Sequence, residues 1–550
     1  MSSNAPKAVN WFKSHECDFI SGGLVFLIAL PLCLGISLAS GYPAVAGIIT
    51  AGVGGILTAI LSDSPLTIKG PAAGLIVVVL GCMTDFGFTQ GANLSADFSA
   101  YRKTLAIGVI AGVIQIVLGL LRMGALAELF PFSVIHGMLA AIGCIIIFKQ
   151  VPVALGLNLS GSPFELVAKT LQNLTHLNPE IALIGGLSLA IMIFCASSKI
   201  KWIKKVPAQM VVLLTMVPLA NFLNLAHEHT YSWHHQVYTL TPKFLVNLPQ
   251  NILGAIVLPD FSALKDPKCL QWIFLLSIIG TLESLVSVQA IDILDPLKRK
   301  TNRNRDLFAI GITNTVVAFL GGLPMISEIV RSRANIDNGA KSSVSNGFHG
   351  FCLLFFVALF PGVLHRIPLA ALAAMLIFTG YRLASMAQFK AIYKIGWDQF
   401  TIFIVTLVTT LATDLLVGLG AGITIKIAIH LFRGVTPNHL FKDQFKITHN
   451  ENQKTTHIEA QGPLIFLNWL VLKKHLSQVQ EGHGVTLDLS FCSLIDHSVM
   501  ERLHEVEREF HHSNRQLEVF GLDGMVSTSE HPFSSRRRKE STTRIINEAS

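Results

Sequence analysis

Four ionisable side chains, Lys69, Glu283, Glu328 and Arg331, stand in or beside sequence that is otherwise almost wholly apolar. Charges in such surroundings are costly and mark function by default. Lys69 belongs to Thr67-Ile-Lys-Gly-Pro-Ala-Ala-Gly74, and Arg331 ends Gly321-Gly-Leu-Pro-Met-Ile-Ser-Glu-Ile-Val-Arg331. Both stretches carry the glycine and proline that interrupt a membrane helix, and paired broken helices point to a transport site. A helix N-terminus offers unpaired N–H groups and about half a positive charge, so two half-helices meeting head to head cradle an anion. Gly70 and Gly74 allow close approach, and Pro71 and Pro324 suit first-turn positions. The expected substrate site comprises Lys69, Gly70, Ala72, Ala73, Pro324, Met325, Ile326, Ser327 and Arg331. Arginine suits an oxyanion because its charge is permanent and its donors form a fork. Arg331 is expected about two turns into the second broken helix.

Glu283 is the one charged residue of the 23-residue run Cys269–Ile291 (291 − 269 + 1). With Ser284 and Ser287 it is the expected coupling site, taking a proton or, beside Thr281 and the serines, helping to bind Na⁺. Blander readings stand beside these. The breaks can be packing kinks, Lys69 can snorkel, Glu283 can be a structural partner for Lys69 or Arg331, and Glu328 can pair with Arg331 at i, i+3. Arg333 points to another helix face.

The elements that hold these residues are membrane helices. Of the chain, 51% is hydrophobic and 14% charged. Apolar runs and the two broken stretches predict about 14 membrane elements, on the scale of roughly 20 residues per crossing. They divide into seven plus seven. Phe26-Leu-Ile-Ala-Leu-Pro31 recurs loosely as Phe274-Leu-Leu-Ser-Ile-Ile279, and an odd repeat requires inverted halves. Basic loops at Lys199–Lys205, Lys298–Arg305 and Arg382–Lys394 place both termini in the cytoplasm by the positive-inside rule. That asymmetry accounts for the net charge of +8 without nucleic acid. Eight scattered cysteines suggest no disulfide framework or metal site. His227, His229, His234 and His235 read as solvated loop histidines. The start of the chain shows no removable signal peptide, and no G-x-x-x-x-G-K-S/T loop suggests an ATP-driven pump. Spread membrane charges disfavour an enzyme; a passive channel remains the rival to a coupled carrier.

After about Arg433 the pattern becomes that of a soluble α/β sandwich, with strands at 456–460, 485–489 and 517–522 and helices at 468–480 and around Val499, Leu503, Val506 and Phe510. The expected organisation is an N-terminal segment 1–16, a transport domain 17–433, the α/β domain 444–525 and a disordered basic tail 526–550 containing Ser534-Ser-Arg-Arg-Arg-Lys539.

Ala29-Leu-Pro-Leu-Cys-Leu-Gly35, Thr67–Gly74, Gly280-Thr-Leu-Glu-Ser-Leu285, Gly321-Gly-Leu-Pro324, Ile329-Val-Arg-Ser332 and Gly339-Ala-Lys341 together resemble the SulP family of anion transporters. Gly462-Pro-Leu-Ile-Phe466, Leu487-Asp-Leu-Ser490 and Ile495-Asp496 are similar to STAS domains. The resemblance covers about residues 15 to 525. It implies core and gate domains of intertwined seven-span inverted repeats, an elevator-like motion, a homodimer in a cell membrane (bacterial inner membrane), and a substrate between the third and tenth elements near the eighth. It implies no cofactor beyond a coupling ion, H⁺ or Na⁺. Sulfate is the first expectation, because Arg331, Lys69 and two helix N-termini together offset two charges; bicarbonate follows closely. Where STAS relatives carry Asp-Ser-Ser, this chain has Asp496-His497-Ser498, so an assembly surface for a cytoplasmic partner is expected rather than a phosphoswitch.

Overall fold

The computed structural model describes residues 15–538 except 160, 201–205, 234–235, 248–252, 441–443, 451–453, 480–482 and 513–514. Charge-poor runs fold as helices because in hydrocarbon a helix satisfies its own backbone groups. Among the described residues, 8 helices are long and apolar enough to cross a membrane, and four shorter apolar helices accompany them. In chain order the first half has α1 (Glu16–Ala39), α2 (Ala44–Leu61), strand β1 (Ile68–Pro71) leading to α3 (Ile76–Asp85), α4 (Leu94–Leu120), α5 (Phe132–Ala154), α6 (Pro179–Ser197) and α7 (Ala208–Phe222). A hairpin of β2 (His229–Trp233) and β3 (Gln236–Leu240) precedes the second half. There α8 (Lys268–Leu294), α9 (Arg303–Phe319), β4 (Met325–Glu328) leading to α10 (Ile329–Asp337), α11 (Val344–Leu359), α12 (Leu369–Leu383), α13 (Trp397–Ala412) and α14 (Leu415–Phe432) follow the same order. The third element of each half is thus a strand followed by a short helix, and β1 and β4 pair antiparallel, as inverted halves require.

Two compact units are present. One holds the described residues up to Gly124 and Ile142–Leu383, and the other Ala125–Ala141 and the described residues from Ala384 onward. In the first, small residues let helices interlock. A Cβ on Gly112 of α4 would sit 3.0 Å from the Gly311 carbonyl of α9, and one on Gly311 would sit 2.9 Å from the Gly112 carbonyl.

In the second unit the C-terminal domain is a four-stranded sheet ordered β5 (Phe445–Asn450), β6 (Thr455–Ala460), β7 (Gly484–Asp488), β9 (Leu517–Phe520). The β5–β6 pair is antiparallel and the other two are parallel. Helices α15 (Trp469–Gln478) and α16 (His497–His512) bury Trp469, Leu472, Val499 and Leu503 among Leu487 and Ile458. One sequence expectation needs correction. The basic tail is ordered as far as Arg538. Its Arg536–Arg538 forms β11 between β10 (Met525–Ser527) and β8 (Leu494–Ile495), while 539–550 lie outside the described residues. A charge run is silent about backbone pairing; here Arg538 also donates to the Cys492 and Leu489 carbonyls, at 3.2 and 3.3 Å. Helices α13 and α14 belong to this second unit together with the C-terminal domain.

Candidate substrate and coupling site

At membrane depth an extended segment needs partners for its backbone, and β1 and β4 supply each other. Their register sets Lys69 opposite Ser327, Gly70 opposite Ile326 and Pro71 opposite Met325, and the Ala72 N–H donates to the Pro324 carbonyl at 3.3 Å. Side chains complete the ladder. Asn314 accepts the Met325 N–H at 2.8 Å and returns a bond to its carbonyl at 3.1 Å, Asn346 accepts from Lys69 N–H at 3.1 Å, and Ser332 from Ile68 N–H at 2.8 Å. Such bonding keeps irregular backbone stable away from water. Polar residues scattered through apolar helices were the available signal for these supports, and sequence reasoning passed over them.

The helices begin later than the prolines suggest. Pro71 is the last residue of β1 and Pro324 immediately precedes β4, whereas α3 starts at Ile76 and α10 at Ile329. The prolines therefore serve extended backbone, where a fixed φ is acceptable and no N–H is needed. Arg331 is correspondingly in the first turn of α10, not two turns in. That position sets a cation at the positive end of a helix. Its side chain is 1% exposed, Nη1 reaches only the Cys33 sulfur at 3.5 Å, and Nε and Nη2 have no hydrogen-bond partner. The nearest Glu328 oxygen is 4.0 Å from Nη2. Gly70 gives the guanidinium room: an added Cβ there would overlap Nη1 and lie 3.3 Å from Cζ.

Two carboxylates occupy the start of the first half-helix. Glu283 of α8 stands against Gly74, and Glu328 lies within electrostatic reach of the Ala73 N–H. Each has one oxygen, Oε2 of Glu283 and Oε1 of Glu328, without a partner. Ser284 binds β4, accepting the Ser327 N–H and donating to its hydroxyl, both at 3.1 Å. Ser287 turns back to the Glu283 carbonyl of its own helix at 2.7 Å. Met325 packs its sulfur on Gly54, and Ala72 and Ile326 are buried. Lys69 neither snorkels nor stands free: its ammonium binds Asp306 and the Ser327 hydroxyl, each at 2.6 Å, in full burial. Among the predicted residues, then, Gly70, Ala73, Glu283 and Arg331 converge, while Lys69, Ser284 and Ser327 form an adjacent closed network with Asp306. Asp306 was missed because it looks like an ordinary first-turn acid of α9. His227 and His229 hydrogen-bond to Asn224 and to backbone, and His234 and His235 lie outside the described residues.

A model described as the sulfate permease family matches residues 16–406. The chain belongs to that family. It is 25% identical over 522 residues to YvdB of Bacillus subtilis (strain 168), provisionally named a sulfate transporter, covering 93% of this chain and 92% of that protein. It is 26% identical over 417 residues to the bicarbonate transporter BicA of Picosynechococcus sp., covering 75% and 69%. Among solved structures, the transmembrane domain of a cyanobacterial BicA superposes with a TM-score of 0.62 at 24% identity, covering 75% of this chain and 98% of that one. SLC26A9 gives 0.67 at 15%, covering 98% and 91%. These likenesses bear out the seven-plus-seven fold, the membrane setting and anion transport rather than enzymatic chemistry.

A second buried charge cluster lies within the other unit of this family member. Lys426 of α14 is fully buried and binds Asp496 at 3.0 Å and the Ser498 hydroxyl at 2.8 Å. Asp496 also accepts the Ser498 N–H at 2.8 Å, capping α16, and the Phe466 N–H at 3.2 Å. Burial by itself would raise its pKa, but Lys426, His430 and the Ser498 N–H hold the carboxyl well below its ordinary range. Ser498 is thus committed to Lys426, and His497 hydrogen-bonds to the Phe533 carbonyl at 2.6 Å.

Proposed function

We propose that this protein is a secondary active transporter of a small inorganic oxyanion, coupled to H⁺ or Na⁺, with Arg331 as the anion's principal partner and Glu283 as the coupling residue. The observation that carries the reading is the buried Arg331 guanidinium, with two unused donor atoms at one half-helix start beside a second half-helix. The nearest carboxylate oxygen, on Glu328, stands 4.0 Å away, so the guanidinium keeps hydrogen-bond donors for an anion to take.

Charge balance supports coupling. Lys69 and Asp306 neutralise each other, leaving one cation, Arg331, against Glu283 and Glu328. With both acids ionised the group carries −1, so a cation, proton or Na⁺, must enter before or with the anion. The same balance favours a singly charged oxyanion such as hydrogencarbonate, since the sulfate expectation relied on Lys69 as a second free charge. Sulfate remains the second reading, favoured by the two half-helix starts and by the name of YvdB. The proposal extends to cytoplasmic termini and a homodimer, and to an elevator-like motion.

Uptake into sealed proteoliposomes under separately imposed H⁺ and Na⁺ gradients tests the reading. Concentrative hydrogencarbonate or sulfate uptake driven by one gradient is expected, and Glu283→Gln should abolish accumulation more than anion exchange. Uptake that only equilibrates the anion would identify a channel. Normal concentrative uptake by Glu283→Gln would remove Glu283 from the mechanism.

A further inference from the structure

Glu328 ends β4 at the entrance to α10, where an acid would ordinarily cap its own helix, yet it makes no such cap. Its carboxylate instead turns toward the other broken segment, where it feels the Ala73 N–H, a group that a bound anion would use. Its free oxygen Oε1 stands 4.0 Å from Arg331 Nη2, too far for a hydrogen bond and close enough for attraction. The side chain is 14% exposed beside an Arg331 at 1%, so it has some room to leave. Facing it are Arg331 from α10, Glu283 from α8 and, through Arg331, Cys33 from α1; Lys69 is held by Asp306.

We infer that Glu328 is a tethered anion that occupies the substrate's place in the empty site, and that its charge selects singly over doubly charged oxyanions. The inference rests on the reading of Arg331 as the anion's partner. An arriving anion must win both the Ala73 N–H and the field of Arg331 from this carboxylate. When displaced, Glu328 still lies within the same low-dielectric region, where its repulsion acts about twice as strongly on a dianion as on a monoanion. The tether also explains how a buried guanidinium is tolerated while the site is empty: a partial countercharge stays nearby without closing a tight ion pair that substrate could not break.

The test is equilibrium binding of nitrate and sulfate, which keep one charge and two across the working range, to full-length protein in nanodiscs at pH 8. Glu328→Gln removes the charge and keeps the shape, and should tighten nitrate by about tenfold, the scale of one competing charge-assisted bond, with a larger gain for sulfate. Equal gains would overturn the selectivity claim, and unchanged or weakened binding of both anions would overturn the tether, leaving Glu328 as a structural ligand of Ala73. Arg331→Ala separates this from the parent reading: if it keeps full affinity for both anions, the site itself is misassigned. In wild-type protein, which avoids any folding defect of the variant, nitrate should raise carbodiimide labelling of Glu328 as the carboxylate is expelled. No change in labelling at saturating nitrate would also overturn the tether.

Discussion

Gly74→Ala tests the contact on which the coupling argument depends. A Cβ at Gly74 would overlap both carboxylate oxygens of Glu283 and lie 2.5 Å from its Cδ, whereas ordinary contact begins at 3.4 Å. The carboxyl must therefore retreat by about 1 Å, which takes it out of hydrogen-bonding reach of the Gly74 N–H. Losing a hydrogen bond to a charged group costs about 1.5–3 kcal/mol, or roughly 10- to 150-fold in an equilibrium constant. Overpacking adds about 1–3 kcal/mol of destabilisation, which a thermal melt of the purified protein reads separately. The concentration of driving ion that half-saturates uptake should therefore shift by at least about tenfold, while the protein stays folded. Glu283→Asp shortens the side chain by one methylene, about 1.5 Å, so the double variant should regain part of the coupling that Gly74→Ala removes. Wild-type coupling in Gly74→Ala, or a double variant whose losses simply add, would refute the argument that Glu283 works from the Gly74 N–H.

At the anion's partner, Arg331→Lys should weaken oxyanion binding through loss of the fork, and Arg331→Ala should weaken it by more than about tenfold, or about 1.4 kcal/mol; calorimetry on folded protein checks both. Truncation after Arg433 should leave substrate affinity nearly unchanged, since every candidate ligand precedes Lys341, but it strips Asp496 from the buried Lys426. Removing one partner of a buried pair costs about 3–5 kcal/mol, so the truncated protein should melt early, and adding Lys426→Met should restore much of the loss. Burial, with repulsion from Glu505, pushes the Glu501 carboxyl from 4.5 up to about 7. A value raised in the folded state stabilises fully below the unfolded value and is lost as pH climbs through about 7, so melting of the C-terminal domain should fall by a few degrees from pH 5.5 to 8. Glu501→Gln should flatten that dependence, and a profile unchanged by the substitution would contradict it.

How much was legible in advance differs between elements for physical reasons. Hydrocarbon admits so few backbone solutions that charge-free runs alone dictated the membrane helices, and glycine and proline in the third and tenth elements located the breaks. The period of apolar residues likewise located β6, β7 and the buried face of α16. Arg331 and Glu283 were found because a lone charge in an apolar run is conspicuous one residue at a time. What the chain is paired with is not carried by any single position. Lys69 looked like a free cation until the fold brought Asp306, 237 residues away, to its ammonium. Glu328 looked like a helix-local partner of Arg331 until β1 and β4 met and presented it with Ala73 instead. Lys426 sat unnoticed in an apolar helix because its partner, Asp496, belongs to the C-terminal domain. Local sequence therefore determined which segments cross the membrane and which residues are charged there, because solvation acts on each segment by itself. Only the tertiary structure decided which charges cancel and which remain available to an anion, because Coulomb interactions depend on distance in space between residues far apart along the chain.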